Sequence, residues 1–355
     1  MVRAALARGA AWPRSGPALA RLVAETAGRD PDQARWEPHP EVALVAALRR
    51  PGLVLAAPAW GVAAFAESLA DLDIRWMPPA PGRLDPGVEQ VTAALDAGAN
   101  AVLLAPVAGD CAAIHPVAQL CAERGVPFAL DARMASGGRV LDGAPGAWGD
   151  PVLLAVHGEP GPAPCPGAVL VSSAHVAPVA NGVASASTLG HGLALLRDAV
   201  RAEPRLRRLV RRRSDTVRSA QEGDAPDWAF AAAAARLQQS ADRASQRARH
   251  GKTLRSNIAH VEGITVLEEP IGVQSASCVL PLLAENRDAV ADALTNAGIP
   301  TLQMLGGWLA PERARPATDV PERALLLPLH PFYRPDDLVR IGETLRRAAL
   351  GALEP

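Results

Sequence analysis

Short apolar runs spaced by helix-length segments constrain this chain more than anything else in it. Residues 53–57 (LVLAA), 101–105 (AVLLA), 126–130 (VPFAL), 152–156 (VLLAV) and 168–172 (AVLVS) are too short for core helices and too uniformly apolar for half-exposed strands. They read as buried strands, with residues 73–77 (DIRWM) as one more among them. Helical patterns fill the gaps. Residues 62–72 have helical spacing, and a helix opens at Leu84-Asp85-Pro86 with Asp85 as N-cap. Residues 115–124 form another helix, stopped by Gly125. Strands alternating with helices demand right-handed crossovers and so a mainly parallel sheet.

The last third changes character. An alanine-rich helix over residues 229–249 is expected to break at His250-Gly251. Strands at 264–268 and 277–283 and helices at 287–297 and 335–349 then describe a smaller α+β unit. The expected division is an arm or short helix over residues 1–34, a large domain over 35–215 and a small domain over 216–355. A composition 49% hydrophobic and 21% charged supplies enough apolar surface for such cores. The 36 basic and 37 acidic residues nearly cancel, which argues against a nucleic-acid binder. Every long apolar run is broken by Arg, Asp or Pro within a bilayer's thickness, and the Arg- and Pro-containing N-terminus makes a poor signal peptide. No membrane partner and a cytoplasmic location are expected. Four scattered cysteines, Cys111, Cys121, Cys165 and Cys278, make no disulfide framework. Lys252 is the only lysine, so any chemistry that needs a Schiff base with a protein amine must run through it.

The order of motifs over residues 101–150 (AVLLAPVAGDCAAIHPVAQLCAERGVPFALDARMASGGRVLDGAPGAWGD) resembles the centre of the DegT-type (DegT/DnrJ/StrS) sugar aminotransferases. Those enzymes show there a strand, a Tyr-Gly turn, a helix, a second strand, an Asp-Ala-Ala-Gln segment and a Gly-Arg…Gly-Asp stretch. Residues 298–311 (GIPTLQMLGGWLAP) and 325–345 (LLLPLHPFYRPDDLVRIGETL) resemble their C-terminal domain. The resemblance implies a fold-type-I, pyridoxal-phosphate (PLP) aminotransferase-like α/β fold. Its large domain carries a seven-stranded, mainly parallel sheet, and a smaller α+β domain lies at the C-terminus. It also implies dimers with active sites at the subunit interface.

The same resemblance exposes departures. A gapless threading from Gly149-Asp150 to residues 169–172 puts Pro160 where the family has its Schiff-base lysine, and Pro166-Gly167-Ala168 at its Glu-Gly-Gly turn. The phosphate-gripping Ser-Gly-Thr turn maps near Arg35-Trp36-Glu37, and the ring-stacking aromatic and the Thr before it map to Val62 and Gly61. Asp131 alone corresponds cleanly, as the carboxylate that pairs with the protonated pyridine nitrogen. The Asp-x-x-Gln motif otherwise reads Asp131-Ala132-Arg133-Met134. A plainer reading of Asp131 is a strand-end Asp capping the next turn.

Other constellations read as structural. His157 reaches the lysine position only if the loop is shifted by three residues; it would then serve as an acid/base, and otherwise it is a strand-end His facing the cleft. Cys111, His115 and Cys121 lack a fourth ligand, so no metal is expected. Ser172, Ser173 and His175 lack an indicated acid and make no triad. His330 sits in the segment resembling the family's closing strand. Arg201, Arg205, Arg207, Arg208, Arg211, Arg212 and Arg213 form a solvated face or interface rim, or else a site for a phosphate-bearing ligand.

The expectation is a degenerate aminotransferase homologue in nucleotide-sugar or secondary-metabolite biosynthesis. It is non-catalytic and binds no cofactor, acting as a homodimer or as partner of an active paralogue. Two alternatives stand beside it. One is an active enzyme of this fold, an aminotransferase or dehydratase on a sugar nucleotide, using non-covalent PLP or His157. The other is a binding module built on the arginine run.

Overall fold

The computed structural model describes residues 13, 15–61, 65–155, 167–173, 227–276, 278–299, 301–303, 309–315 and 317–353. Val62, His157, Pro160, Cys165, His175 and the arginine run 201–213 lie outside the described residues.

Helix α1 (Gly16–Thr26) starts at Ser15, whose hydroxyl accepts from the Ala18 N–H, and buries Leu19, Ala20, Val23 and Ala24. Strand β1 (Ala34–Glu37) and helix α2 (Pro40–Leu48) follow, then β2 (Val54–Pro58). A short helix α3 (Ala66–Leu69) precedes β3 (Asp73–Met77), α4 (Val88–Asp96) and β4 (Ala101–Leu104). Helix α5 (Ile114–Arg124) ends at Gly125 in the left-handed conformation and leads into β5 (Phe128–Asp131). A two-residue strand β6 (Arg139–Val140), then β7 (Val152–Leu154) and β8 (Ala168–Val171), complete the large domain's strands.

The seven-stranded sheet runs β1-β8-β7-β5-β4-β2-β3. Strands β3, β2, β4, β5 and β7 pair in parallel, while β8 is antiparallel to both β7 and β1. Alternate side chains serve two cores, as the two-residue period of a strand requires. Val102, Leu104, Phe128, Leu130, Val152, Leu154, Val169 and Val171 point to one face, under α1, α4 and α5. Ala101, Leu103, Ala129, Leu153, Ala168 and Leu170 point to the other, under α2 and α3.

Helix α6 (Asp227–Ile258) runs for 32 residues, about 48 Å, and links this sheet to the rest of the molecule. Phe230, Ala233, Ala234 and Leu237 pack into the large-domain core, and Leu254 and Ile258 into a second one. The break expected at His250-Gly251 does not occur. A Cβ at residue 251 would lie 3.1 Å from Leu329 Cδ1, so glycine is the residue that lets the neighbouring chain close on the helix while the helix continues.

The second core belongs to strands β9 (Ile264–Val266), β11 (Val279–Ala284), β12 (Leu302–Gln303) and β13 (Ala324–Pro328), ordered β12-β13-β11-β9 and antiparallel throughout. Helices α7 (Arg287–Asn296) and α9 (Pro335–Leu353) cover it, and a short α8 (Val320–Arg323) leads into β13. One more strand, β10 (Val273–Gln274), pairs with β6 and so stitches the two units together. Trp60, Leu84, Val107 and Ala108 meet Leu267, Val279, Leu283 and Leu326 in a shared apolar cluster at the same junction.

The loop after β4 is the tightest point of that junction. Ala108 and Gly109 both have positive φ, 60° and 75°, and the Gly109 carbonyl accepts from the Ala276 N–H at 3.2 Å. A Cβ on Gly109 would lie 2.5 Å from the Met134 carbonyl oxygen, whereas Gly125, with φ of 65°, has nothing within 4 Å. Gly109→Ala is therefore expected to cost about 3 kcal/mol or more, from left-handed strain plus a backbone clash. Gly125→Ala carries the strain alone and should cost about 1–2 kcal/mol. Urea unfolding of both variants checks this; equal losses would mean that the clash relaxes away.

Candidate functional site

Open α/β sheets receive ligands at the C-terminal ends of their parallel strands. Here that edge is formed by Ala59-Trp60-Gly61 after β2, residues 105–110 after β4, and Asp131 with the turn that follows β5. Asp131 ends a strand in which every residue is buried, and is itself 4% exposed.

Its carboxylate is fully engaged by one neighbour. Oδ1 accepts from the Arg133 backbone N–H at 3.1 Å and from Arg133 Nε at 2.8 Å, and Oδ2 accepts from Arg133 Nη2 at 2.7 Å. The first of these is the turn cap that the plainer reading expected. The other two form a bidentate fork, the strongest geometry available to an arginine and a carboxylate. Arg133 Nη2 also lies 2.7 Å from Glu41 Oε1, in the first turn of α2. Burial works against the Arg133 charge, but Asp131 and then Glu41 outweigh it and hold the guanidinium above its ordinary pKa.

The remaining expected contacts are dispersed. Arg35-Trp36-Glu37 lie within β1, paired to β8, so they form no turn. The turn between β1 and α2 is Pro38-His39, followed by Pro40 at the first helical position. Of Pro38, His39 and Pro40, two lack an N–H, and the Glu41 carboxylate, paired with Arg133, stands at the helix start where an anion would otherwise bind. Lys252 is exposed on α6, in the stretch whose buried residues Leu254 and Ile258 belong to the small-domain core. The described residues therefore do not fit PLP. The ring-nitrogen carboxylate is taken, the helix start offers few N–H donors to a phosphate, and the one lysine is exposed on α6.

Cys111 and Cys121 are buried in the large-domain core, where burial raises the Cys111 thiol and pushes the Cys121 thiol up to about 11. His115 stacks edge-on against Trp148 at 4.5 Å. Among the described residues no three His, Cys, Asp or Glu side chains gather as metal ligands would. Ser173 does find an acid, since its hydroxyl and its N–H both donate to Asp150, but that contact ties β8 to the turn before β7. The His330 carbonyl accepts from His250 Nδ1 at 3.0 Å, joining the segment after β13 to α6.

Sequence reasoning missed a second polar group beside the crevice. Asp85 was expected as the N-cap of α4. The helix begins instead at Val88, where the Gln90 side chain accepts from the Gly87 N–H. The Asp85 side chain turns inward, 4% exposed, and Oδ1 accepts from the Val107 N–H at 2.8 Å. Asp110 lies next to it, with Oδ1 capped by the Ala112 N–H and Oδ2 3.7 Å from Arg83 Nη1. Arg255 pairs with Glu269 across the same junction at 3.3 Å. Burial, and then the Asp110 carboxylate, push Asp85 well above the ordinary carboxylate range; burial raises Asp110 as well.

No protein-family model and no curated protein sequence matches this chain. Solved structures do. An aminotransferase, TlmJ, from Streptoalloteichus hindustanus superposes with a TM-score of 0.68 at 20% identity, covering 100% of this chain and 96% of that one. A DegT DnrJ EryC1 StrS aminotransferase from Brucella abortus gives 0.68 at 20% identity over 98% and 93%. The E. coli GDP-4-keto-6-deoxy-D-mannose-3-dehydratase with bound hydrated PLP gives 0.68 at 14% identity over 97% and 95%. The chain has the fold-type-I aminotransferase fold.

The Asp85–Asp110 pair yields a pH dependence. A folded-state pKa raised above the unfolded value of about 4 contributes stability below that value and loses it as pH rises through the folded pKa. Asp85→Asn removes the buried charge and leaves an oxygen for the Val107 N–H. It is expected to raise the melting temperature at pH 8 and to change it little at pH 4. Equal shifts at both pH values would contradict this.

Proposed function

We propose that this chain is a non-catalytic relative of the DegT-type sugar aminotransferases, acting in nucleotide-sugar or secondary-metabolite biosynthesis as a homodimer or as partner of an active aminotransferase. The observation that carries this reading is the position of Lys252, the chain's one ε-amine, exposed on α6 in the stretch whose buried residues join the small-domain core. Covalent cofactor chemistry at the strand ends has no amine to use. In a fold whose relatives combine residues of two subunits in one site, such a chain can shape or regulate its partner's site while its own carries no chemistry. The arginine run 201–213 is proposed as the contact for a phosphate-bearing ligand or as the rim of that interface.

Titration of the pure protein with PLP, followed by borohydride reduction and peptide mapping, tests the reading. No saturable absorbance band and no reduced adduct are expected, and no amino transfer to a keto-sugar by the chain alone. Mixing with an active paralogue should change that enzyme's turnover. An adduct on Lys252 with turnover by the isolated chain would overturn the proposal.

A second reading has one observation in its favour: a protein of this fold is a sugar-nucleotide dehydratase whose structure holds hydrated PLP. On that reading His157 is the acid/base and the cofactor is held without a covalent bond. Turnover of a nucleotide-sugar by the wild-type chain, abolished in His157→Ala, is its signature.

A further inference from the structure

Asp131 is a buried carboxylate at the C-terminal end of the central strand β5, a location at which an open sheet presents groups to a ligand. A carboxylate stays ionised when buried only where opposite charge or N–H donors compensate it. In this chain the matching charge comes from two residues further along. Arg133 grips both oxygens of Asp131, at 2.8 and 2.7 Å, and extends the pairing to Glu41 at 2.7 Å. The three side chains are 5%, 22% and 17% exposed for Asp131, Arg133 and Glu41.

We infer that Asp131 is a receptor for a small planar cation, and that Arg133 is its built-in occupant. The inference rests on the reading above and deepens it, because it names what fills the place that a cofactor's ring cation would need. The chemistry of the fork supports the assignment. A guanidinium is planar, permanently charged and two-pronged, so it satisfies both lone-pair directions of the carboxylate at once. A protonated ring nitrogen offers one N–H and one charge to the same group. The tether decides the competition. A group held two residues away acts at an effective concentration on the order of millimolar or more, and a free cation must exceed that to displace it. Glu41 adds to the hold, since the second carboxylate would be left facing the first if Arg133 swung out.

The inference predicts that removing Arg133 opens a vacancy of defined chemistry. Arg133→Ala is expected to melt at least about 5 °C below the wild type, because two carboxylates lose their shared cation. Methylguanidinium at about 20 mM, compared with NaCl at equal ionic strength, is expected to recover part of that loss in R133A alone. The wild type, whose receptor is filled, should not respond. Nor should the double variant D131N/R133A, which has no receptor, and it should melt above R133A because its need for a cation is gone. An unchanged melting temperature in R133A would overturn the inference. So would a methylguanidinium shift equal in R133A and D131N/R133A. If R133A does not fold, the double variant decides: recovered folding supports the assignment, and an equally unfolded chain overturns it. None of these readouts involves turnover, so they separate failure of this inference from failure of the proposed function, which catalysis by the wild type alone would bring.

Discussion

Strands β4, β5 and β7 at the centre of the large sheet bury side chains on both faces, and this double burial dictates what else the large domain must supply. A sheet apolar on both sides needs a helical layer on each, and short crossovers between parallel strands deliver them. Five parallel strands then leave all their C-terminal ends on one edge. The chain cannot avoid exposing that edge to loops, so the polar residues found there set the chemistry of the molecule. The small domain closes over part of it through the β6–β10 pair and the apolar cluster around Trp60.

The electrostatics of that edge are inward-looking. Asp131 is answered by Arg133, and Glu269 by Arg255. Burial, and then the neighbouring Asp110 carboxylate, raise the pKa of Asp85. Among the described residues of this edge, Asp131 and Glu269 each face an arginine, whereas Asp85 and Asp110 lie side by side. The likeness to aminotransferases of known structure describes the backbone, and the chemistry is a separate question decided by the site.

Local patterns carried most of the fold. The run 73–77 coincides with β3, Gly125 stops α5 in the left-handed conformation, and Gly298 follows α7 in the same way. The errors arose where a distant contact outbid a local signal. Asp85-Pro86 has the composition of a helix start, but the Val107 N–H, on the loop after β4, captured the carboxylate. His250-Gly251 has the composition of a helix end, but packing against Leu329 turned the glycine into a contact and the helix ran on. The site was legible only in part. Asp131 stood out as a strand-end carboxylate, and the Asp-Ala-Arg spacing was already in the sequence, where it read as a damaged motif instead of as an acquired cation. Glu41 gave no local sign, because only the sheet order brings the first turn of α2 alongside β5.

The exposure of Lys252 has a practical side. Its ε-amine is the only one the side chains offer, and it sits on the flank of α6 next to the small-domain core. Amine-directed coupling therefore has a single side-chain address. A dye, a crosslinker or a solid support attached there would hold every molecule in the same orientation, joined through its small-domain flank.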